Sequence, residues 1–241
     1  MLKNNKRYEV KKMFIIGMLL LPSLVFADEK FEYELKVLGS EYGTASLYFD
    51  GNKGYGQIKA NQKWASVWNV DNRIASQVDE TGYPIKTQFT YNFDKYKGAY
   101  DIDHGKSRVR VLKERNGVKK RKSFVIKQRM HDMISWLAEV RTAVIENPDK
   151  PLSFKVFSGA KVYDVHCQPQ PKELLHTPIG AKTAKPYLIT VTRPSIYKRE
   201  MRVWFNTTKN FEPLKLVGKF KVGHGEANIV SLKSNEKGEQ Q

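Results

Sequence analysis

Polarity alternates residue by residue along most of this chain, and that period of two constrains its fold more than any other feature. Phe31, Tyr33, Leu35 and Val37 alternate with Glu32, Glu34 and Lys36. A strand with one buried and one wet face has this pattern, because successive side chains leave a strand on opposite sides. A turn at Gly39 to Gly43 precedes Ala45, Leu47 and Phe49, which alternate with Thr44, Ser46 and Tyr48; Asp50-Gly51-Asn52 then turns the chain into Gly54 to Ala60. Further strands are predicted at 66–70, 74–78, 85–92, 98–103, 109–114 and 123–127, then at 153–157, 161–168, 187–193, 201–206, 214–222 and 226–232. Turn signals at intervals of about 8–12 residues point to an antiparallel sheet, a sandwich or an open barrel.

One segment departs from this rhythm. Met133, Trp136, Leu137, Val140 and Val144 form a single stripe at helical spacing, with Asp132 placed as N-cap and Asn147-Pro148 as the stop. The segment 132–146 is therefore predicted to be a helix of about four turns. Such a helix could cover a concave β-surface as a lid or plug one end of a closed core. Pro169 to Pro186 is expected to be a connection between strands, and 235–241 a frayed tail. The domain organisation expected is a leader over 1–27, one β-rich domain over 28–234 and the tail.

The leader rests on Lys3, Lys6, Arg7, Lys11 and Lys12 ahead of an apolar run from Met13 to Phe26, followed by Val25-Phe26-Ala27. A basic start, a short apolar stretch and a small-residue cleavage site describe a secretory signal peptide. Fourteen apolar residues interrupted by Pro22 are short for a membrane span of about 20. The chain is thus expected to be exported, to the periplasm or cell envelope. Beyond residue 27, 37 Lys and Arg (the 42 of the chain less those five) face 24 Asp and Glu (25 less Glu9), a net charge of +13. That excess favours anionic partners, and export makes envelope polymers and lipids better candidates than nucleic acid. Cys167 is the only cysteine, so no internal disulfide supports the fold; it is expected to be a buried small apolar residue.

Most of the charge is concentrated in one place. Between Lys106 and Arg129, Lys106, Arg108, Arg110, Lys113, Arg115, Lys119, Lys120, Arg121, Lys122, Lys127 and Arg129 face Glu114 alone, a net of +10. Asn116-Gly117 between two strand-like runs is the sequence of a tight hairpin turn. Arg108 and Arg110 share a face opposite Val109 and Val111, which would project guanidinium groups together toward phosphate or carboxylate. The competing reading is a solvated edge whose charges deter strand-on-strand aggregation. The loop lacks interleaved aromatics for stacking bases.

Catalytic signatures such as G-x-S-x-G, H-E-x-x-H and a Gly-rich phosphate loop do not occur. His166 and Cys167 are adjacent, but in a strand they point to opposite faces and cannot form a dyad. Asp101 and Asp103 would share a face while His104 points away, which suits a polar strand end better than a metal site. Trp64, Trp68, Trp136 and Trp204 could line a pocket or serve as ordinary core.

The order of several short motifs resembles a bacterial envelope family, domain-of-unknown-function family 3108. The residues that carry the likeness are Asp132, Ser135 and Arg141 in D-M-I-S-W-L-A-E-V-R, and Trp204 and Pro213 in V-W-F-N-T-T-K-N-F-E-P-L. Phe31-x-Tyr33 and Gly82-Tyr83-Pro84 add to it, so the likeness covers most of the chain beyond the leader. One departure is Thr207-Thr208, where the family tends to carry acidic turn residues. The resemblance implies an exported, mainly β protein: a curved antiparallel sheet or open half-barrel with one principal helix on its concave side, similar to lipoprotein carriers. It implies no established activity. The expected function is a non-enzymatic, cofactor-free envelope protein, monomeric, that binds an amphipathic or anionic component such as a lipid, glycolipid or lipoprotein. Peripheral contact with a membrane is compatible with this. Arg108, Arg110, Lys113, Lys120 and Lys122 would meet the anionic head, and Trp136 and Trp204 the apolar part. The alternative is a structural docking module for another envelope protein, acting through a sheet edge or the basic hairpin. An enzyme acting on envelope glycan or peptide is a third class for which no competent constellation is present in the sequence.

Overall fold

The computed structural model describes residues 29–61, 70–93, 96–193, 197–207, 211–220 and 223–234. The leader, the predicted strand residues 66–69, Trp64, Trp68, Thr208 and the tail lie outside the described residues. Fifteen strands and one helix account for most of the rest: β1 Glu29–Val37, β2 Ser40–Asp50, β3 Lys53–Ala60, β4 Val70–Val78, β5 Pro84–Phe93, β6 Tyr96–His104, β7 Arg108–Arg115 and β8 Val118–Val125 precede the helix α1, Ser135–Glu146. After it come β9 Leu152–Ser158, β10 Lys161–Pro169, β11 Glu173–Thr177, β12 Gly180–Arg193, β13 Tyr197–Asn206, β14 Pro213–Phe220 and β15 Gly223–Ser234. All belong to one antiparallel sheet in the order β8-β7-β6-β5-β4-β3-β2-β1-β15-β14-β13-β12-β10-β9, with β11 paired to β12 off this path.

The topology is two meanders joined at their far ends in sequence. β1 pairs with β2 on one side and β15 on the other, so the first and last described strands lie at the centre. The sheet curls until its ends approach, without closing. Phe124 of β8 meets Phe157 of β9 edge to face at 5.5 Å, and His131 makes an isolated bridge to Val156. The chain crosses from β8 to β9 through α1, which therefore lies across the concave side.

Among the described residues that side carries one continuous apolar core. Phe31, Leu47, Phe49, Ile58, Val165, Ile189 and Val203 are fully buried, and from the helix Trp136, Leu137, Val140 and Val144 are nearly so. All five apolar positions of the predicted stripe are buried, as expected of a helix whose apolar face meets a core. Gly54 allows the close approach: a Cβ there would lie 2.5 Å from Cγ2 of Ile134 and 2.8 Å from the Phe49 ring.

Three elements differ from the sequence expectation. The strand predicted at 123–127 is β8, and it begins at Val118, because the two-residue turn Asn116-Gly117 (φ 49° and 79°) pairs Arg115 with Val118 at once. The run Lys119 to Lys122 carries no alternation to mark it as strand. The connection predicted from Pro169 to Pro186 contains β11 and the start of β12, joined at Pro178-Ile179. The helix is shorter than predicted, its regular part starting at Ser135.

Candidate functional site

The hairpin forms, and its register sorts the predicted basic residues onto two faces. Lys113 lies directly opposite Lys120, Val111 opposite Lys122 and Val109 opposite Phe124. Val109 and Val111 are buried against the core, so Lys113, Arg115, Lys120 and Lys122 share the inner face with them. Arg108 and Arg110 share the outer face with Arg121, Lys119 and Glu114. The predicted anion cluster is thus divided: its three lysines are together and its two arginines are elsewhere.

The two faces differ in charge balance. On the outer face Asp103 lies opposite Arg110, Lys119 pairs with Glu114 at 3.7 Å, and Arg108 donates to Ser123 Oγ at 3.3 Å. The inner face of β7 and β8 carries no carboxylate. Lys113 is half-buried over the Tyr100 ring, 5.3 Å from its centroid, and Arg115 lies 5.0 Å over Tyr96. Burial first, and Arg115 second, hold the Lys113 ammonium below the usual lysine range. Like charges directly opposed across a strand pair repel, so an anion seated there relieves repulsion that the fold itself leaves in place.

The two predicted tryptophans are not part of this cluster. Trp136 is 1% exposed on α1 and packs edge to face on Phe154, 6.5 Å away. Trp204 lies on the outer face of β13, where its indole donates to Glu173 of β11 and Arg202 stacks over it at 5.6 Å. Both are buried away from the hairpin. Cys167 is buried on the inner face, and burial pushes its thiol far up, while His166 is exposed on the other face beside Ser153. Asp101 and Asp103 lie on the outer face; His104 points inward to Thr87 Oγ1 at 2.9 Å.

A dense polar network surrounds α1. Asp132 is 1% exposed, and its Oδ2 accepts from Ser76 and Thr87 at 2.5 Å each, tying the helix start to β4 and β5. Its Oδ1 accepts from the backbone N–H groups of Ile134 and Ser135 at 2.9 and 2.7 Å, and Ser135 Oγ accepts from the Asp132 N–H. This reciprocal arrangement satisfies donors that a helix start leaves open. Thr87 has one hydroxyl proton and gives it to Asp132, so His104 Nε2 is the donor to Thr87. Two turns on, Arg141 makes a two-pronged ion pair with Glu29 of β1 at 2.6 and 3.2 Å and lies over the Phe31 ring; both charged groups are buried. Tyr83 is sandwiched between Arg129 and His131, each 4.5 Å away, and Asp79 holds both Arg129 and the turn at Thr81. Tyr33 donates from its hydroxyl to the Pro213 carbonyl at 3.1 Å.

Asp132, Ser135, Arg141, Phe31, Tyr33, Tyr83 and Pro213 thus all take part in seating the helix or joining the central strands. They are among the motif residues of the family resemblance, and the model of a family described as "Protein of unknown function (DUF3108)" matches residues 32–230. The chain belongs to the DUF3108 family. At the departure from the family pattern, the Thr207 hydroxyl donates to the Thr183 carbonyl at 2.9 Å.

Among solved structures, a β-barrel-like protein of DUF1849 from Brucella abortus is similar at 10% identity with a TM-score of 0.63, covering 88% of this chain and 99% of that one. This likeness concerns the fold alone. A candidate lipoprotein from Parabacteroides distasonis (9% identity, TM-score 0.35) and a candidate exported protein with a YmcC-like fold from Bacteroides fragilis (7%, 0.32) also match. Each covers 88% of the DUF3108 chain, which covers 97% and 100% of them respectively. No curated protein matches this chain. Among the described residues no helix is long and apolar enough to cross a membrane.

Proposed function

We propose that this DUF3108 protein is an exported, non-enzymatic envelope protein that binds an anionic or amphipathic component through the inner face of β7 and β8. One observation carries the reading: Lys113 and Lys120 lie opposite one another, with Lys122 on the same face and no carboxylate beside them on those strands. A phosphate or carboxylate head would sit between the lysines, with the buried Tyr100 ring beneath Lys113 holding that ammonium in place. The leader-like residues 1–27 support export. Neither Trp136 nor Trp204 has a part in this reading, and Arg108 and Arg110 supply at most long-range attraction.

Sedimentation of the mature protein with phosphatidylglycerol vesicles and with phosphatidylcholine vesicles tests this. Binding to the anionic vesicles should fall about tenfold or more when Lys113, Lys120 and Lys122 become Gln, as loss of several charge-assisted contacts implies. Gln at Arg108 and Arg110 should weaken it far less. Equal binding to both vesicle types, or equal loss in the two variants, would overturn the reading. A second reading, docking of another envelope protein, is favoured by β8 itself: it ends the sheet and exposes Val118 and Val125 to 60% and 77%. Binding of a protein partner that survives the lysine changes but is lost on Val118→Lys would support that alternative.

A further inference from the structure

The outer face of β2 to β5 contains a pit of about 380 Å³, within the range of about 300–1,000 Å³ that small-ligand sites occupy. Register explains why it is there. One row across the strands runs Tyr48, Tyr55, Ala75, Gln88, and the next row runs Ser46, Gln57, Arg73, Thr90. Ala75 is the only small side chain in the first row, so a depression opens between the tyrosines and Gln88. Tyr48 and Tyr55 stack with centroids 6.1 Å apart and remain 37% and 41% exposed, facing away from the core.

The polar wall is held in position. Asp71 accepts from Arg73 Nε at 3.2 Å and Nη2 at 3.0 Å, and from Gln57 Nε2 at 3.0 Å. Arg73 keeps its other guanidinium N–H groups for a ligand, while the bound carboxylate cancels its charge. The site therefore offers aromatic faces, amides and a neutralised guanidinium, unlike the uncompensated cations of β7 and β8. Sugar rings match this chemistry: their C–H groups carry slight positive charge and meet the negative face of an aromatic ring. Their hydroxyls pair with amides and guanidinium N–H groups in both donor and acceptor roles.

We infer that this pit is a binding site for a neutral sugar ring of a glycan, separate from the lysine face of β7 and β8. The experiment is calorimetric titration of the full mature chain with two neutral probes, chitotetraose and maltotetraose. At least one should bind, and its affinity should drop about tenfold or more in Tyr55→Ala, which removes a stacking face. Ala75→Leu fills the pit from the solvent side and should abolish binding in a protein with an unchanged circular dichroism spectrum. Tyr55→Phe, which keeps the ring, should retain binding, as should the Gln variant of Lys113, Lys120 and Lys122. Failure of both tetramers to bind, or undiminished binding by a folded Ala75→Leu variant, would overturn the inference without touching the proposal for β7 and β8.

Discussion

Under α1, Arg141 is fully buried and its charge is met in two-pronged fashion by Glu29, while Asp132 accepts from four donors. On the inner face of β7 and β8, by contrast, Lys113 and Lys120 oppose each other and Lys122 stands exposed nearby. The first region spends its polar groups on holding a helix in a curled sheet. The second leaves like charges facing one another, at a cost the fold does not need. Asp132 and Arg141 are therefore fasteners of this fold, and the proposed anion site lies where like charges are left without compensation.

The largest effect should come from breaking the buried pair. Arg141→Leu leaves Glu29 without its principal partner and should destabilise the protein by about 3–5 kcal/mol, measured by urea unfolding. Replacing both Glu29 and Arg141 by Leu should cost less than that single change.

The pH dependence of stability sharpens the same contrast. Burial holds the His131 imidazole at about 4, well below the ordinary histidine value. Above about pH 6.5 the group is neutral in both folded and unfolded chains and adds no pH dependence. Between about 6.5 and about 4 the unfolded chain takes up a proton that the folded one refuses, so stability falls as pH falls, by about 3 kcal/mol in all. Below that it levels off. His131→Phe, which keeps the stack on Tyr83, should flatten the slope in this window; an unchanged slope would remove His131 from the account.

Gly54→Ala comes next. A methyl group 2.5 Å from Ile134 and 2.8 Å from Phe49 forces two fully buried side chains to shift, at about 1–3 kcal/mol. The smallest effect is expected from the region on the other side of the comparison. Gln at Lys113, Lys120 and Lys122 should change stability by about 0.5 kcal/mol or less, as surface changes do, and in the stabilising direction. A marked loss of stability would make these lysines structural.

Much of the fold could be read from side-chain parity. The alternation in β1 and β2 and the stripe on α1 are the direct imprint of one buried face. β11 and the start of β8 could not be read this way, since Glu173–Thr177 sits in a Pro-rich stretch and Lys119 to Lys122 has no apolar partner positions. The division of the basic cluster was readable in principle: a two-residue turn at Asn116-Gly117 places 115 opposite 118 and hence 113 opposite 120. Counting charge without that register merged two faces into one site. The roles of Glu29, Ser76 and Thr87 depend on contacts across more than forty residues of sequence, which no local pattern encodes. The same is true of the pit, whose walls come from four strands.

Native mass spectrometry of the mature protein purified from its own envelope would identify any species the protein carries. A bound phosphate- or carboxylate-bearing species is expected, lost when Lys113, Lys120 and Lys122 become Glu and kept when Arg108 and Arg110 do. A ligand-free mass for the native protein, or a bound species indifferent to the lysines, would contradict the proposed anion site.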